Sequence, residues 1–266
     1  MEESLDIILG RGHSHKHNSK SSVQSPSVTV ESATSPIKST GINFLDNELS
    51  GGLPAGTVVY FYADADETTS EVFLHHFSSV RKTYYFTTVR RPKYISQNIT
   101  DLGLDTENIN FIDVYSQYYL NKFGDMIDNV GNEFVDKDIL DFTEYQLKNI
   151  RAQDEKDFNI IIDTFSFYLG LNVNFGNILR LTNLIYEITK ETESISYLYV
   201  LNDYDKPENK VMNLCDAVFD VTSDRIGDNI YSKLSIPKMR GKTEVNDLIK
   251  FKVASGIQID TTRDIA

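Results

Sequence analysis

The chain has 266 residues and a mass of 30.3 kDa, enough for one large domain or two small ones, either with a substantial core. Its formal charge of −13 disfavours nucleic-acid phosphates and acidic membrane surfaces as partners. A single cysteine, Cys215, excludes an intrachain disulfide and a cysteine-based zinc site, and no apolar run reaches the roughly 18 residues of a spanning helix.

In chain order, the first stretch is MEESLDIILGRG. Its acidic flanks and short apolar run do not read as a secretion signal, so a reducing cytoplasm is the expected location. Glu2 to Leu9 has the spacing of an amphipathic helical turn, with Leu5, Ile8 and Leu9 on one side, but is too short to be stable alone. Residues 1–38 are Ser- and His-rich and read as a disordered tail. Four basic residues (Arg11, Lys16, Lys20, Lys38) cancel four acidic ones there (Glu2, Glu3, Asp6, Glu31), so the net charge belongs to residues 39–266. His13, His15 and His17 alternate, a pattern that either binds a transition metal weakly or is a solvated polar tract.

From residue 39 onward strands and helices alternate. Thr57–Tyr62 is β-branched and aromatic, a buried strand, and Glu71–Val80 has helical spacing. A strand over Thr83–Val89 precedes a helix over Tyr94–Leu102 that ends at Gly103. Ile109–Tyr115 is a strand, and Met126–Ile150 is helical. Phe158–Asp163 is nearly all apolar, as a central parallel strand should be. A helix over Ile178–Thr192 leads to a strand over Ser196–Leu201. Short strands follow at Ala217–Val221, Tyr231–Ile236, Ile249–Val253 and Gln258–Ile259. The order predicts an α/β fold in three layers, a mostly parallel sheet flanked by helices, with an antiparallel β extension at the C-terminus.

Three motifs resemble the RecA-like ATPases of the KaiC and RadA type. Ser39–Thr57, STGINFLDNELSGGLPAGT, is similar to the segment that leads into that family's phosphate-loop strand. Ile160–Ser166, IIIDTFS, resembles the Walker B strand. Ser235–Gly241, SIPKMRG, resembles the K-M-R-G element of the KaiC family. The resemblance implies one KaiC-like RecA-fold domain over residues 39–266.

It fails at the phosphate loop. That loop needs G-x-x-x-x-G-K-[ST], with glycines to turn backbone N–H groups toward phosphates and a Lys to reach their oxygens. The matching stretch is Ala63-Asp64-Ala65-Asp66-Glu67-Thr68-Thr69-Ser70. Ser70 alone survives, at the magnesium-hydroxyl position, and Thr69 stands in place of the Lys. Asp64, Asp66 and Glu67 occupy the cradle. Two like charges at 4 Å repel by about 4 kcal/mol at an effective dielectric of 20. A helix N-terminus offers only about 0.3–1 kcal/mol per anion, which these carboxylates can themselves take up.

The family's general-base glutamates are missing too. Val89 and Arg90 stand near their positions, and a guanidinium never deprotonates. Arg90 and Arg91 either pair with the Asp64–Glu67 cluster, hold an acidic ligand, or stand solvated in a loop. The resemblance makes Asp163 the Walker B carboxylate, a candidate ligand for magnesium or a bare divalent cation; a cap on the following turn is the other reading. Lys238 and Arg240 match the family's finger, which reaches across a subunit boundary to the neighbour's nucleotide. They share one strand face, so guarding a sheet edge is the alternative. His75 and His76 read as core-edge residues. Tyr115, Tyr118 and Tyr119 read as core or interface, since only Lys122 nearby is basic.

The expected function is that of a catalytically degenerate KaiC-like domain. It would serve as a regulatory or interaction subunit, assembled with itself or with an active RecA-like ATPase. The lost Lys and Glu argue against turnover, and no cofactor is expected. The alternatives are an ATPase binding ATP and magnesium through Ser70 and Asp163, or a RadA-type recombination accessory. Neither nucleic acid nor membrane is an expected partner.

Overall fold

The computed structural model describes residues 35–64, 69–202, 209–226, 229–241, 245–253 and 257–259. The Glu2–Leu9 turn, the His13, His15 and His17 tract, and loop residues Asp66, Glu67 and Thr68 lie outside them, as does most of the expected tail.

In chain order the elements are β1 (Ile37–Lys38), α1 (Asn43–Glu48), β2 (Leu53–Pro54), β3 (Thr57–Asp64), α2 (Ser70–Ser79), β4 (Thr83–Thr87), α3 (Pro92–Asp101), β5 (Ile109–Asp113), α4 (Val114–Tyr119) and α5 (Glu133–Ala152). Then come β6 (Asn159–Asp163), α6 (Ser166–Leu169), α7 (Phe175–Glu191), β7 (Ile195–Asn202), α8 (Asn209–Leu214), β8 (Ala217–Ile226), β9 (Asn229–Met239), β10 (Val245–Val253) and β11 (Ile257–Ile259). Among the described residues β3 to β11 form one sheet, in the order β11-β10-β9-β8-β3-β7-β6-β4-β5. The strands from β8 to β5 in that order run parallel, and β8 to β11 are antiparallel hairpin neighbours. The expected α/β sheet with an antiparallel extension is therefore the observed one.

Side chains alternate across each strand, so one sequence supplies two cores. Val59, Phe61, Ala63, Tyr85, Ile161, Tyr197 and Tyr199 face one side, where α1, α2 and α3 cover them through Phe44, Leu45, Phe73, Phe77, Ile95 and Ile99. Val58, Tyr60, Phe86, Ile160, Ile162 and Leu198 face the other. There α4, α5 and α7 pack with Tyr118, Leu140, Leu147, Leu181 and Ile185. Dense aromatic packing marks the first core: the Phe61 ring meets Phe73, Phe77, Tyr199 and Phe219.

The strands β8, β9 and β10 run to 10, 11 and 9 residues, longer than the short strands expected, and three other boundaries differ from the sequence expectation for local reasons. The strand expected to run to Tyr115 stops at Asp113, whose carboxylate accepts from Ser116 N and starts α4. Tyr118 thereby turns into the core against Phe167. The helix expected from Met126 begins at Glu133. Asn132 caps it by accepting from Phe134 N, and Gly131 before it has φ +78°. The first strand runs two residues past Tyr62, because Ala63 and Asp64 continue the ladder opposite Leu201 and Asn202.

Two turn structures hold the N-terminal ends of the parallel strands. The Asp46 carboxylate accepts from Thr40 N and Thr40 Oγ1, both at 2.7 Å, and from Ser39 Oγ. A Cβ on Gly52 would lie 2.1 Å from the Lys38 carbonyl oxygen, at φ +128°, so this position admits only glycine. The second structure centres on Asp216, just before β8. Its Oδ2 accepts from Val58 N at 3.0 Å and from Lys190 Nζ at 2.8 Å, and Arg240 lies 3.5 Å from Oδ1.

Candidate functional site

In a parallel α/β sheet, chemistry gathers beyond the C-terminal ends of the strands. Asp163 ends β6 there, opposite Thr87 of β4 and Tyr199 of β7. It is 3 % exposed. Being odd-numbered on an alternating strand, it shares a face with Ile161 and points toward α2. The Tyr85 hydroxyl donates to Asp163 Oδ2 at 3.0 Å. The guanidinium of Arg90 lies 4.0 Å from the same oxygen and forms an ion pair with Glu71, in the first turn of α2. Burial raises the Asp163 pKa, and Arg90 and then Tyr85 only partly oppose that rise. Burial beside that carboxylate also pushes the Tyr85 phenol well above its ordinary range.

The cluster continues along α2. His75 Nε2 is 3.9 Å from Glu71 Oε1, one turn away. Burial, reinforced by the charge of His76, lowers the His75 pKa to about 4. The imidazole is therefore neutral at pH 7, and Arg90 is the cation that balances Glu71. Both histidines are core-edge residues, as their apolar neighbours in the sequence imply. On β7, the Tyr199 hydroxyl and Ser70 Oγ are 2.7 Å apart, and Ser70 is fully buried. Behind Asp163 the chain is fixed by Thr88, whose N–H donates to the Asp163 carbonyl and whose Oγ1 accepts from Thr164 N. The Asp163–Thr164 peptide is cis.

The site residues expected from the sequence divide into three groups. Asp163 and Ser70 come to the same strand end, joined to it by Tyr85 and Tyr199. Ala63 and Asp64 belong to β3, and Thr69 opens α2 with its Oγ1 3.2 Å from Ser232 Oγ. Lys238 and Arg240 sit at the opposite, N-terminal edge of the parallel strands. Lys238 Nζ donates to the carbonyls of Met212 at 3.0 Å and Asn213 at 3.3 Å, and Arg240 donates to Asn213 O at 2.7 Å. These carbonyls belong to the last turn of α8, whose unpaired C=O groups call for donors. Partial burial, and then the charge of Arg240, lower the Lys238 pKa.

Sequence reasoning singled out Arg90 but not its partner Glu71, nor Tyr85 and Tyr199. The signal was present: Tyr85 and Tyr199 fall on the strand parity of Asp163, and Glu71 directly follows Ser70. Among the described residues no group of three or more His, Cys, Asp or Glu side chains forms a metal site. No helix among them is long and apolar enough to cross a membrane.

A model of the family of unknown function DUF7125 matches residues 37–266. The chain belongs to this family. No curated protein matches this DUF7125 chain. Its fold is similar to that of a KaiC-like protein from the hyperthermophilic archaeon Pyrococcus horikoshii OT3, with a TM-score of 0.64 and 17 % identity. That likeness covers 85 % of this chain and 100 % of the other. The DUF7125 chain thus has a KaiC-like fold.

Proposed function

We propose that this chain is a catalytically degenerate KaiC-like domain that works as an interaction or regulatory subunit. The observation that carries the reading is Arg90, set between Glu71 and Asp163. A carboxylate that holds magnesium must face a cation from solution; here it faces a tethered guanidinium. The neighbouring groups support the same reading. Ser70 Oγ is engaged with Tyr199, and Ala63 and Asp64 are tied into the β3 ladder where a phosphate cradle would need a free loop. Thr69 takes the position of the lysine. The donor set suits a closed ion-pair network and does not suit a magnesium triphosphate.

No side chain at the end of β4 supplies a base: Val89 and Arg90 occupy those positions. What remains is a KaiC-like scaffold, which fits a subunit that binds a copy of itself or an active RecA-like ATPase. Titration calorimetry with magnesium ATP tests the reading. The expected result is no heat of binding up to about 1 mM nucleotide, which bounds the affinity near −4 kcal/mol. Submillimolar binding that Asp163→Ala weakens would overturn it.

A further inference from the structure

Beyond the strand-end cluster, one exposed surface has an order that its own chain does not use. Helix α5 buries Ile139, Leu140, Leu147 and Ile150 against the sheet. Its outer face carries Phe134, Asp138, Asp141 and Tyr145, all exposed. These positions are i, i+4, i+7 and i+11, so they align along one stripe of three turns, about 16 Å long. A large aromatic side chain stands at each end: Phe134 is 78 % exposed and Tyr145 61 %. Two carboxylates lie between them, and among the described residues neither is ion-paired. By contrast, Glu144 on the buried side is paired with Lys148 and Arg180.

The helix is held firmly beneath this stripe. Buried Asp136 accepts from the Tyr118 hydroxyl and from Asn172 N, and Thr143 Oγ1 is 2.9 Å from the Tyr168 hydroxyl. Pre-positioned aromatics lose little entropy on binding, and such residues dominate interface energies. Exposed Lys137 and Lys148 flank Asp141, so the choice of occupant rests on the charge of the whole chain: a second copy would bring −13 against −13, and a basic partner would not.

We propose that this face of α5 docks a basic amphipathic helix of a partner protein. Lys or Arg residues of that helix lie against Asp138 and Asp141, and apolar residues lie against Phe134 and Tyr145. The inference rests on the reading of the chain as an interaction subunit, but not on its loss of nucleotide binding.

The test uses the full chain and a fluorescent helical peptide of about 16 residues, long enough to hold the motif. The peptide carries Leu, Lys, Lys and Leu at i, i+4, i+7 and i+11 in an Ala/Gln background, and binding is read by anisotropy at physiological salt. The expected result is saturable binding that drops about tenfold when Glu replaces both Lys residues, a step of about 1.4 kcal/mol. Phe134→Asp with Tyr145→Asp should also weaken binding about tenfold, although it adds negative charge. Equal or tighter binding by that variant means attraction by charge alone and overturns the proposal, as does failure of the basic peptide to bind. Should the double variant not fold, Asp138→Lys with Asp141→Lys decides. Reversed preference for the Glu peptide supports the docking face, and an unchanged preference overturns it. Magnesium-ATP binding beside intact peptide binding would refute only the degenerate-site reading.

Discussion

The two edges of the parallel sheet carry different kinds of residue. At the N-terminal edge, the T-G, L-D and G-G-L-P-A-G segment and the K-M-R-G element resemble those of KaiC-like proteins. At the C-terminal edge the stretch 63–70 has neither the glycines nor the lysine of a phosphate loop, and an arginine stands beside Asp163. The contacts explain the difference. Asp46, Gly52, Asp216, Lys238 and Arg240 all serve their own chain, closing turns and holding backbone groups. None of these contacts involves a nucleotide. Glycines and a lysine of a phosphate loop serve a ligand and not the fold, so the fold places no demand on them.

The largest expected effect lies at the N-terminal edge. Asp216→Ala leaves the Val58 N–H without its acceptor and Lys190 and Arg240 without their carboxylate. An unsatisfied buried N–H costs about 1–3 kcal/mol, and the two cations, 39 % and 49 % exposed, add at most about 1 kcal/mol each, for a total of about 3 kcal/mol. At roughly 2–4 °C per kcal/mol for a chain of this size, thermal denaturation should show a Tm lower by about 10 °C. A shift under about 2 °C would break the comparison, because the N-terminal edge would then owe little to the contacts of Asp216.

At the other edge the next effect is a pH dependence. Folded His75 has a pKa near 4 against an ordinary 6.5. The unfolded chain therefore binds a proton in that window that the folded chain does not. Stability is complete above pH 6.5 and falls as pH drops toward 4, by up to about 3 kcal/mol at 1.36 kcal/mol per unit. Burial-raised Asp163 works in the opposite sense above its ordinary pKa, so the comparison is with His75→Gln. Urea titrations should give that variant a flatter stability profile between pH 6.5 and 4; parallel profiles would mean His75 does not report on this edge.

Arg90→Ala comes third. It leaves Glu71 and Asp163 facing each other without a cation. The arginine side chain is about a third exposed, so solvent screening reduces the cost to about 1–2 kcal/mol. Asp163→Asn, which removes a charge that burial already penalises, should cost less than Arg90→Ala in the same denaturation assay. The reverse order would mean that Asp163 and not Arg90 organises the cluster.

Most of the architecture was legible in the sequence because its signals are local. Apolar strands such as Phe158–Asp163 and the 3.6-residue spacing of Ile178–Thr192 announce themselves within a dozen residues. The boundaries that were missed depend on single capping residues, Asp113 and Asn132, whose effect appears only when a side chain meets a particular N–H. At the site, the loss of the lysine and glycines was plain from the motif. The replacement was not: Glu71, Arg90, Asp163 and Tyr85 come from four separate elements or loops, and only the strand register brings them together. The same holds for Lys238 and Arg240. Their i, i+2 spacing implied a shared strand face, but not that β9 ends at Met239 between them or that both reach the carbonyls at the end of α8.

The smallest expected effect is also the one that separates a clamp from a finger. If Lys238 acts within its chain, Lys238→Ala removes two hydrogen bonds to the carbonyls of Met212 and Asn213, together with a cation at the C-terminal end of α8. Each such bond is worth about 0.5–1.5 kcal/mol net, and water can replace part of it at this half-buried site. The isolated chain should therefore lose about 1 kcal/mol, seen as a Tm lower by about 2–4 °C. Arg240→Ala should cost less, since its guanidinium is half exposed. If both residues instead reach a neighbour's nucleotide, neither variant changes the Tm of the isolated chain. The loss then appears only as a fall in ATP turnover when the chain is mixed with an active RecA-like partner. Measuring both quantities on the same two variants assigns the K-M-R-G element to one edge's logic or the other's.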